Sequence, residues 1–371
     1  MIQFSLMSRE IPNPSIESSQ SERLKSPGVS YYGRVVTPKE SPEILLGNEH
    51  AIFNAAVWRQ TIDGKRQTFC LPRVMTHEQR PQVADTTDRL DFITWQFDKD
   101  GLKARIISRI PTEVVQGEAV FNPEDSRALV LQNNRGEETG EVLFGLTAAD
   151  EHAKPSAMPY PAFFSARYPF LPSDISPMEV LSYLPPGKNL LPLSADTAIY
   201  RPEFNEDESV NGRTFNFIKK TGNKWETIRT ITFPDVDWVA NGGRFGLTGG
   251  EKIPTGEPGV FRMIIHGFLN SYKKEGDNSI VTYALGLAEF QERDDGTFDI
   301  RAIDNTPLLT YQEAIKYAGD GTEPDPHKKV IYSTGYILED DEALVPVTLR
   351  DKEIALFGFS KERLLQPFTT K

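Results

Sequence analysis

From Tyr31 onward, short apolar runs alternate with clusters of Gly, Pro, Asn and Asp, and almost nowhere do apolar positions recur at a helical spacing. The run Leu90–Phe97 alternates cleanly, as a strand with one buried face should. The runs 51–58 and 67–74 are joined through Asp63-Gly64, a dipeptide suited to the left-handed positions of a tight hairpin turn. Strand-like segments return at 141–147, 197–201, 214–219, 227–233, 260–267, 280–288, 329–338, 343–347 and 354–360. One helix is expected, over 310–318, with Thr310 as its N-cap. The Pro-rich stretch 154–186 has little periodicity and reads as a wandering loop or a lid. Residues 1–27, rich in Ser, Glu, Gln and Pro, read as a flexible arm ahead of a single domain over 28–371.

Many short strands without intervening helices indicate an all-β fold. A strand count in the high teens suits a β-propeller better than a sandwich, because radial repetition absorbs that many strands in one domain. No WD or kelch repeat is present.

Composition narrows the partners. A net charge of −12 argues against nucleic acid or an anionic membrane surface, although positive charge can still be focused in a cleft. Cys70 is the single cysteine, so no intrachain disulfide can form, and its setting in Phe69-Cys70-Leu71 is that of a small buried hydrophobe. The five histidines show no metal-ligand spacing. No signal-peptide pattern and no membrane-spanning run is found, which leads to an expectation of a cytoplasmic protein.

The densest chemistry lies in Phe121-Asn122-Pro123-Glu124-Asp125-Ser126-Arg127, a turn feeding the apolar run 128–131. Neighbouring side chains of an extended chain point to opposite faces, so Glu124 and Asp125 are expected to part, while Asp125 and Arg127 share a face. That pair can be an acid beside an anion or hydroxyl clamp, or an ion pair closing a turn.

The order Phe53-Asn54-Ala55-Ala56, Leu71-Pro72-Arg73-Val74 and Glu124-Asp125-Ser126-Arg127 resembles glycoside hydrolase family 130, the β-mannoside phosphorylases and mannosidases. Gly249-Gly250-Glu251-Lys252, Met263-Ile264-Ile265-His266-Gly267 and Tyr283-Ala284-Leu285-Gly286 continue the likeness, which spans roughly 50–360. The resemblance implies a five-bladed β-propeller that processes an oligosaccharide without metal or cofactor, inorganic phosphate being a co-substrate in a phosphorylase. It implies Asp125 as the acid. For the base of an inverting hydrolase, which stands roughly 6.5–9.5 Å from the acid, Glu257 is favoured, with Glu251 as second choice. Asn54 and His266 suit sugar hydroxyls, and Arg73, Arg127, Lys188 and Arg201 a cationic rim. Trp58, Trp95, Trp225 and Trp238 are candidates to stack on a sugar, or core residues.

The departures carry information. Ser126 replaces a proline, Tyr200 stands where the family has a phosphate-binding His, and Gly358-Phe359-Ser360-Lys361 replaces the family's Gly-Ala-Ala-Asp. They point toward hydrolysis of a β-mannoside-like oligosaccharide, with phosphorolysis as the alternative and a non-catalytic carbohydrate- or protein-binding propeller as another. A homo-oligomer is compatible with the sequence.

Overall fold

The computed structural model describes residues 27–36, 49–76, 89–98, 101–109, 114–116, 119–150, 158–203, 212–239, 243–271, 280–318, 328–350 and 353–369. Five antiparallel sheets are arranged as a propeller-like ring. In chain order their innermost strands are Glu49–Ile62, Ala119–Gln132, Gly187–Pro192, Arg244–Leu247 and Gly335–Leu338. The fifth sheet takes its outermost strand from the start of the chain: Val29–Val36 pairs with Glu353–Ser360, Val29 opposite Phe359. Between the fourth and fifth sheets, Gly249–Gly250 pairs in parallel with Gly335–Leu338 and closes the ring.

Four of the gaps between adjacent sheets are each filled by an apolar cluster among the described residues, because the inner strands bury both faces. Trp58, Phe69, Phe144, Phe164 and Phe170 pack between the first and second sheets. Phe163, Leu190, Tyr200 and Trp225 fill the next gap, and Phe215, Phe217, Phe245, Phe261, Phe290 and Phe298 the one after. Ile264, Leu285, Val345 and Phe357 seal the fourth sheet to the fifth. Offset and edge-on ring pairs, such as Phe163 on Trp225 at 4.5 Å, add about 0.5–1.5 kcal/mol each beyond area burial. Inner strands approach closely where residues are small: a Cβ on Gly335 would meet the Val57 backbone nitrogen at 2.7 Å.

The Asp63-Gly64 hairpin has the left-handed dihedrals its sequence requires, φ 49° and 74°. The helix Tyr311–Ala318 starts from a reciprocal cap, Thr310 N donating to Glu313 Oε2 at 2.8 Å and Glu313 N to Thr310 Oγ1. The stretch 154–186 departs from the expected loop. Within it, Met158–Arg167 is a strand of the second sheet, paired with Glu138–Asp150, and is followed by a 3-10 turn and the short edge strand Glu179–Val180. Its prolines are tolerated because the outer neighbour pairs only with Ala162 and Phe163, leaving Pro159 beyond the ladder. The arm expected over 1–27 lies outside the described residues, save Pro27.

Candidate active site

Three of the five inner strands carry the same irregularity. At Asn54, Asp125 and Asn189 the chain turns left-handed, with φ of 51°, 51° and 60°, and the pairing register slips there in each sheet. Asn and Asp tolerate this conformation better than other residues with a side chain. These bulges sit partway along successive inner strands, and the contacts of Asn54 with Asp125 and of Arg127 with Asn189 gather them around the ring axis.

The slip changes which groups meet. Glu124 and Asp125, expected to part, both reach Arg73: the guanidinium donates to Glu124 Oε1 at 2.8 Å and stands 3.8 Å from Asp125 Oδ1. Asn54 Nδ2 donates to Asp125 Oδ1 at 2.6 Å. Lys188, one residue before the third bulge, lies 3.7 Å from Glu124 Oε2. Burial works to raise the Glu124 carboxyl, but Arg73 and Lys188 outweigh it and hold the group below the usual carboxylate range.

Beside this cup, Glu203 Oε1 takes a hydrogen bond from Arg201 at 2.5 Å, and its Oε2 one from Arg244 at 2.8 Å. Glu203 is likewise lowered against its own burial, by Arg201, Arg244 and Lys188. Arg201 also donates to the Phe245 carbonyl, and both arginines lie over the Phe268 ring.

Arg127 is placed differently from expectation. It is fully buried and does not meet the Asp125 carboxylate. Its Nε donates to the Leu247 carbonyl at 2.7 Å and one terminal nitrogen to the Asp125 carbonyl at 2.9 Å. The other donates to Asn189 Oδ1 at 2.5 Å and to the Tyr332 hydroxyl at 3.0 Å. The side chain therefore ties the second sheet to the third, fourth and fifth, and forms a floor beneath the cup. His266 lies in this floor with its ring 4.2 Å from that of Tyr332, and its Nδ1 has no partner among the described residues. Burial, with Arg127 and Arg201 nearby, keeps the imidazole well below its ordinary value, so it is neutral. Burial raises the Tyr332 hydroxyl to about 12.

Beneath the floor, the far halves of the inner strands line a cavity of about 410 Å³ that includes Arg59, Arg66, Leu129, Glu138, Glu251 and Tyr336. On this strand the cavity is lined by Ala128 to Gln132, which follow Asp125 by three to seven residues, roughly 10–23 Å at about 3.3 Å per residue. Glu251 lines this cavity rather than the cup that holds Asp125, its carboxylate 3.3 Å from Arg66. Glu257 stands in an exposed turn, paired with Arg301 at 2.8 Å on the outer strand Phe298–Ile303. Tyr200 is core, packed with Phe163, Leu190 and Trp225. Trp58 and Trp225 are buried among phenylalanines, Trp238 packs on Phe245, and the side chain of Trp95 lies outside the described residues.

The structure therefore gathers Asn54, Arg73, Asp125, Lys188 and Arg201 around one mouth, with Arg127 and His266 directly below and Glu251, Glu257 and Tyr200 elsewhere. Sequence reasoning missed Glu203, Asn189, Tyr332 and Thr348. Glu203 had a signal, since it shares a face with Arg201 two residues earlier; the other three had none. Among the described residues, no group of three or more His, Cys, Asp or Glu is placed to hold a metal ion, and no helix is long and apolar enough to cross a membrane.

No protein-family model matches the sequence, and no curated protein does. Solved structures do match. A β-1,2-mannobiose phosphorylase from Listeria innocua, in complex with β-1,2-mannobiose, superposes with a TM-score of 0.61 at 14% identity, over 91% of this chain and 98% of that one. The chain has the fold of a mannoside phosphorylase. A glycosyl hydrolase from Bacteroides ovatus gives a TM-score of 0.55 at 13% identity, over 92% of this chain and 97% of that one. A structure from the GH130 family of mannoside phosphorylases, which contains glycoside hydrolases that target β-1,2 mannosidic linkages in Candida mannan, gives 0.55 at 12% identity, over 91% and 97%. At these identities the likeness concerns the fold, and the chemistry rests on the residues themselves.

Proposed function

We propose that this protein is a glycoside-processing enzyme that cleaves a β-mannoside with inversion, Asp125 supplying the proton to the leaving oxygen. The single observation that carries the reading is the Asp125 carboxylate, held by Asn54 at 2.6 Å on a left-handed bulge at the mouth of the ring, with Arg73 at 3.8 Å. The mannoside class comes from the shared fold and the ordered resemblance of motifs.

Charge favours phosphate over water as the nucleophile. Around the mouth and floor, the cations Arg73, Arg127, Lys188, Arg201 and Arg244 outnumber the carboxylates Glu124, Asp125 and Glu203, in a chain whose net charge is −12. A phosphate dianion would balance that excess. Hydrolysis needs a second carboxylate as base. Glu124 and Glu203 are both held ionised by cations, which weakens them as bases, and Glu251 and Glu257 stand away from Asp125. In phosphorolysis a phosphate oxygen bonds to the anomeric carbon as the glycosidic bond breaks, and the Asp125 proton passes to the departing oxygen.

The test is β-1,2-mannobiose incubated with and without inorganic phosphate. Mannose 1-phosphate formed only with phosphate is the expected product. Release of free mannose at an equal rate in both would establish hydrolysis instead. Asp125→Asn should abolish cleavage while leaving sugar binding; binding without turnover in the unaltered protein would mark a non-catalytic propeller.

A further inference from the structure

We propose that Thr348, on the fifth sheet, is a positioning residue that fixes the orientation of the Asn54 carboxamide and thereby assigns separate roles to the two oxygens of Asp125. The inference rests on the reading of Asp125 as the acid.

Thr348 is 1% exposed and lies on the strand Glu342–Leu349, whereas Asn54 belongs to the first sheet and Asp125 to the second. Its hydroxyl meets Asn54 twice. The Asn54 backbone N–H donates to Thr348 Oγ1 at 2.7 Å, and Thr348 Oγ1 donates to Asn54 Oδ1 at 2.9 Å. A hydroxyl carries one proton. Because the backbone N–H can only donate, that proton is left for the side chain, where only an amide oxygen can accept it. Thr348 therefore selects one of the two orientations of the Asn54 amide, the one that points Nδ2 at Asp125 Oδ1. The flipped orientation would set an amide oxygen against a carboxylate oxygen, acceptor against acceptor.

The same hydroxyl answers a second need. Asn54 sits on a bulge at φ 51°, where the pairing register with the neighbouring strand slips between Phe53 and Ala56. A bulge leaves a backbone group without its ladder partner, and Thr348 supplies one from another sheet. With Oδ1 of Asp125 occupied by Asn54, Oδ2 is the oxygen left to carry the proton toward substrate. The acid is in this way tied to ring closure, since the sheet bearing Thr348 is completed by Val29–Val36 from the other end of the chain.

Thr348→Val keeps the shape and removes the hydroxyl; Thr348→Ser keeps the hydroxyl. The expected result for Thr348→Val is a fall in kcat of about 10–100-fold with KM changed by less than about twofold, and recovery to within about threefold in Thr348→Ser. Independently of turnover, the Asn54 side-chain amide protons should give two separate, slowly exchanging NMR signals in the unaltered protein and in Thr348→Ser, and lose that protection in Thr348→Val. Wild-type kcat in Thr348→Val, or equal impairment of both variants, would overturn the role. If the unaltered protein turns over no mannoside, the reading of the activity fails, and the amide signals still decide whether Thr348 orients Asn54.

Discussion

Replacing Arg127 by methionine should destabilise the whole ring, and the size of the effect follows from its bonds. The guanidinium donates to two backbone carbonyls, Leu247 and Asp125, and to Asn189 Oδ1 and the Tyr332 hydroxyl. After substitution Asn189 Oδ1 still receives the Tyr332 hydroxyl at 3.0 Å, so two carbonyls bear most of the loss. A buried acceptor left unsatisfied costs about 1–3 kcal/mol, which gives roughly 2–6 kcal/mol for the pair. Removing a buried cation relieves its own desolvation, but these acceptors are backbone atoms that no single side chain can take away. The net should fall near the 3–5 kcal/mol typical of breaking one side of a buried charged network. For a chain of 371 residues, at about 2 °C per kcal/mol, Tm should drop by roughly 6–10 °C. Arg127→Lys keeps the charge but cannot span four acceptors in three directions, so it should lose a large part of the same stability. Thermal unfolding followed by tryptophan fluorescence reads both variants. A methionine variant melting within about 2 °C of the unaltered protein would show that the floor does not hold the sheets together.

Two further outcomes are expected. His266 is buried and neutral, its folded value well below that of the unfolded chain, so below about pH 6.5 the unfolded state binds the extra proton. Stability should therefore decline as pH falls from about 6.5 toward the folded value, by up to about 1.4 kcal/mol per pH unit, and urea unfolding of His266→Gln should lack that slope; parallel curves for the two proteins over pH 7 to 5 would refute it. Glu257→Gln removes only an exposed partner of Arg301, so kcat, KM and Tm should all stay close to those of the unaltered protein, and a loss of turnover greater than about tenfold would return Glu257 to the site.

Most of the fold was legible because its information is local. Asp63-Gly64 can hardly be anything but a hairpin turn, and Thr310 with Glu313 three residues on is a helix start written in two residues. The β-rich pattern and the strand number lead to a ring of sheets, here five. Where the reading failed, at 158–167, the strand carries Pro159 and Pro161, and proline signals a loop only if the neighbour on the side its nitrogen faces needs an N–H there. The neighbour on one side covers just two residues, a fact of tertiary structure that no window of sequence contains.

The site was legible in its residue types and illegible in its geometry, for one physical reason. Strict alternation along a strand separates Glu124 from Asp125 and joins Asp125 to Arg127; a single left-handed residue at Asp125 reverses both conclusions. The sequence permits that conformation, because Asp tolerates it, but what compels it lies far along the chain, in Arg127 holding the Asp125 carbonyl and Asn54 holding its carboxylate. Asn54 and Asn189 repeat the pattern on neighbouring strands, each fixed by a partner from another sheet, Thr348 and Arg127 respectively. Three Asx residues, each one step into an inner strand's bulge, are therefore the feature through which closure of the ring becomes a chemical arrangement, and their side chains face the axis only for as long as the sheets that clamp them stay in register.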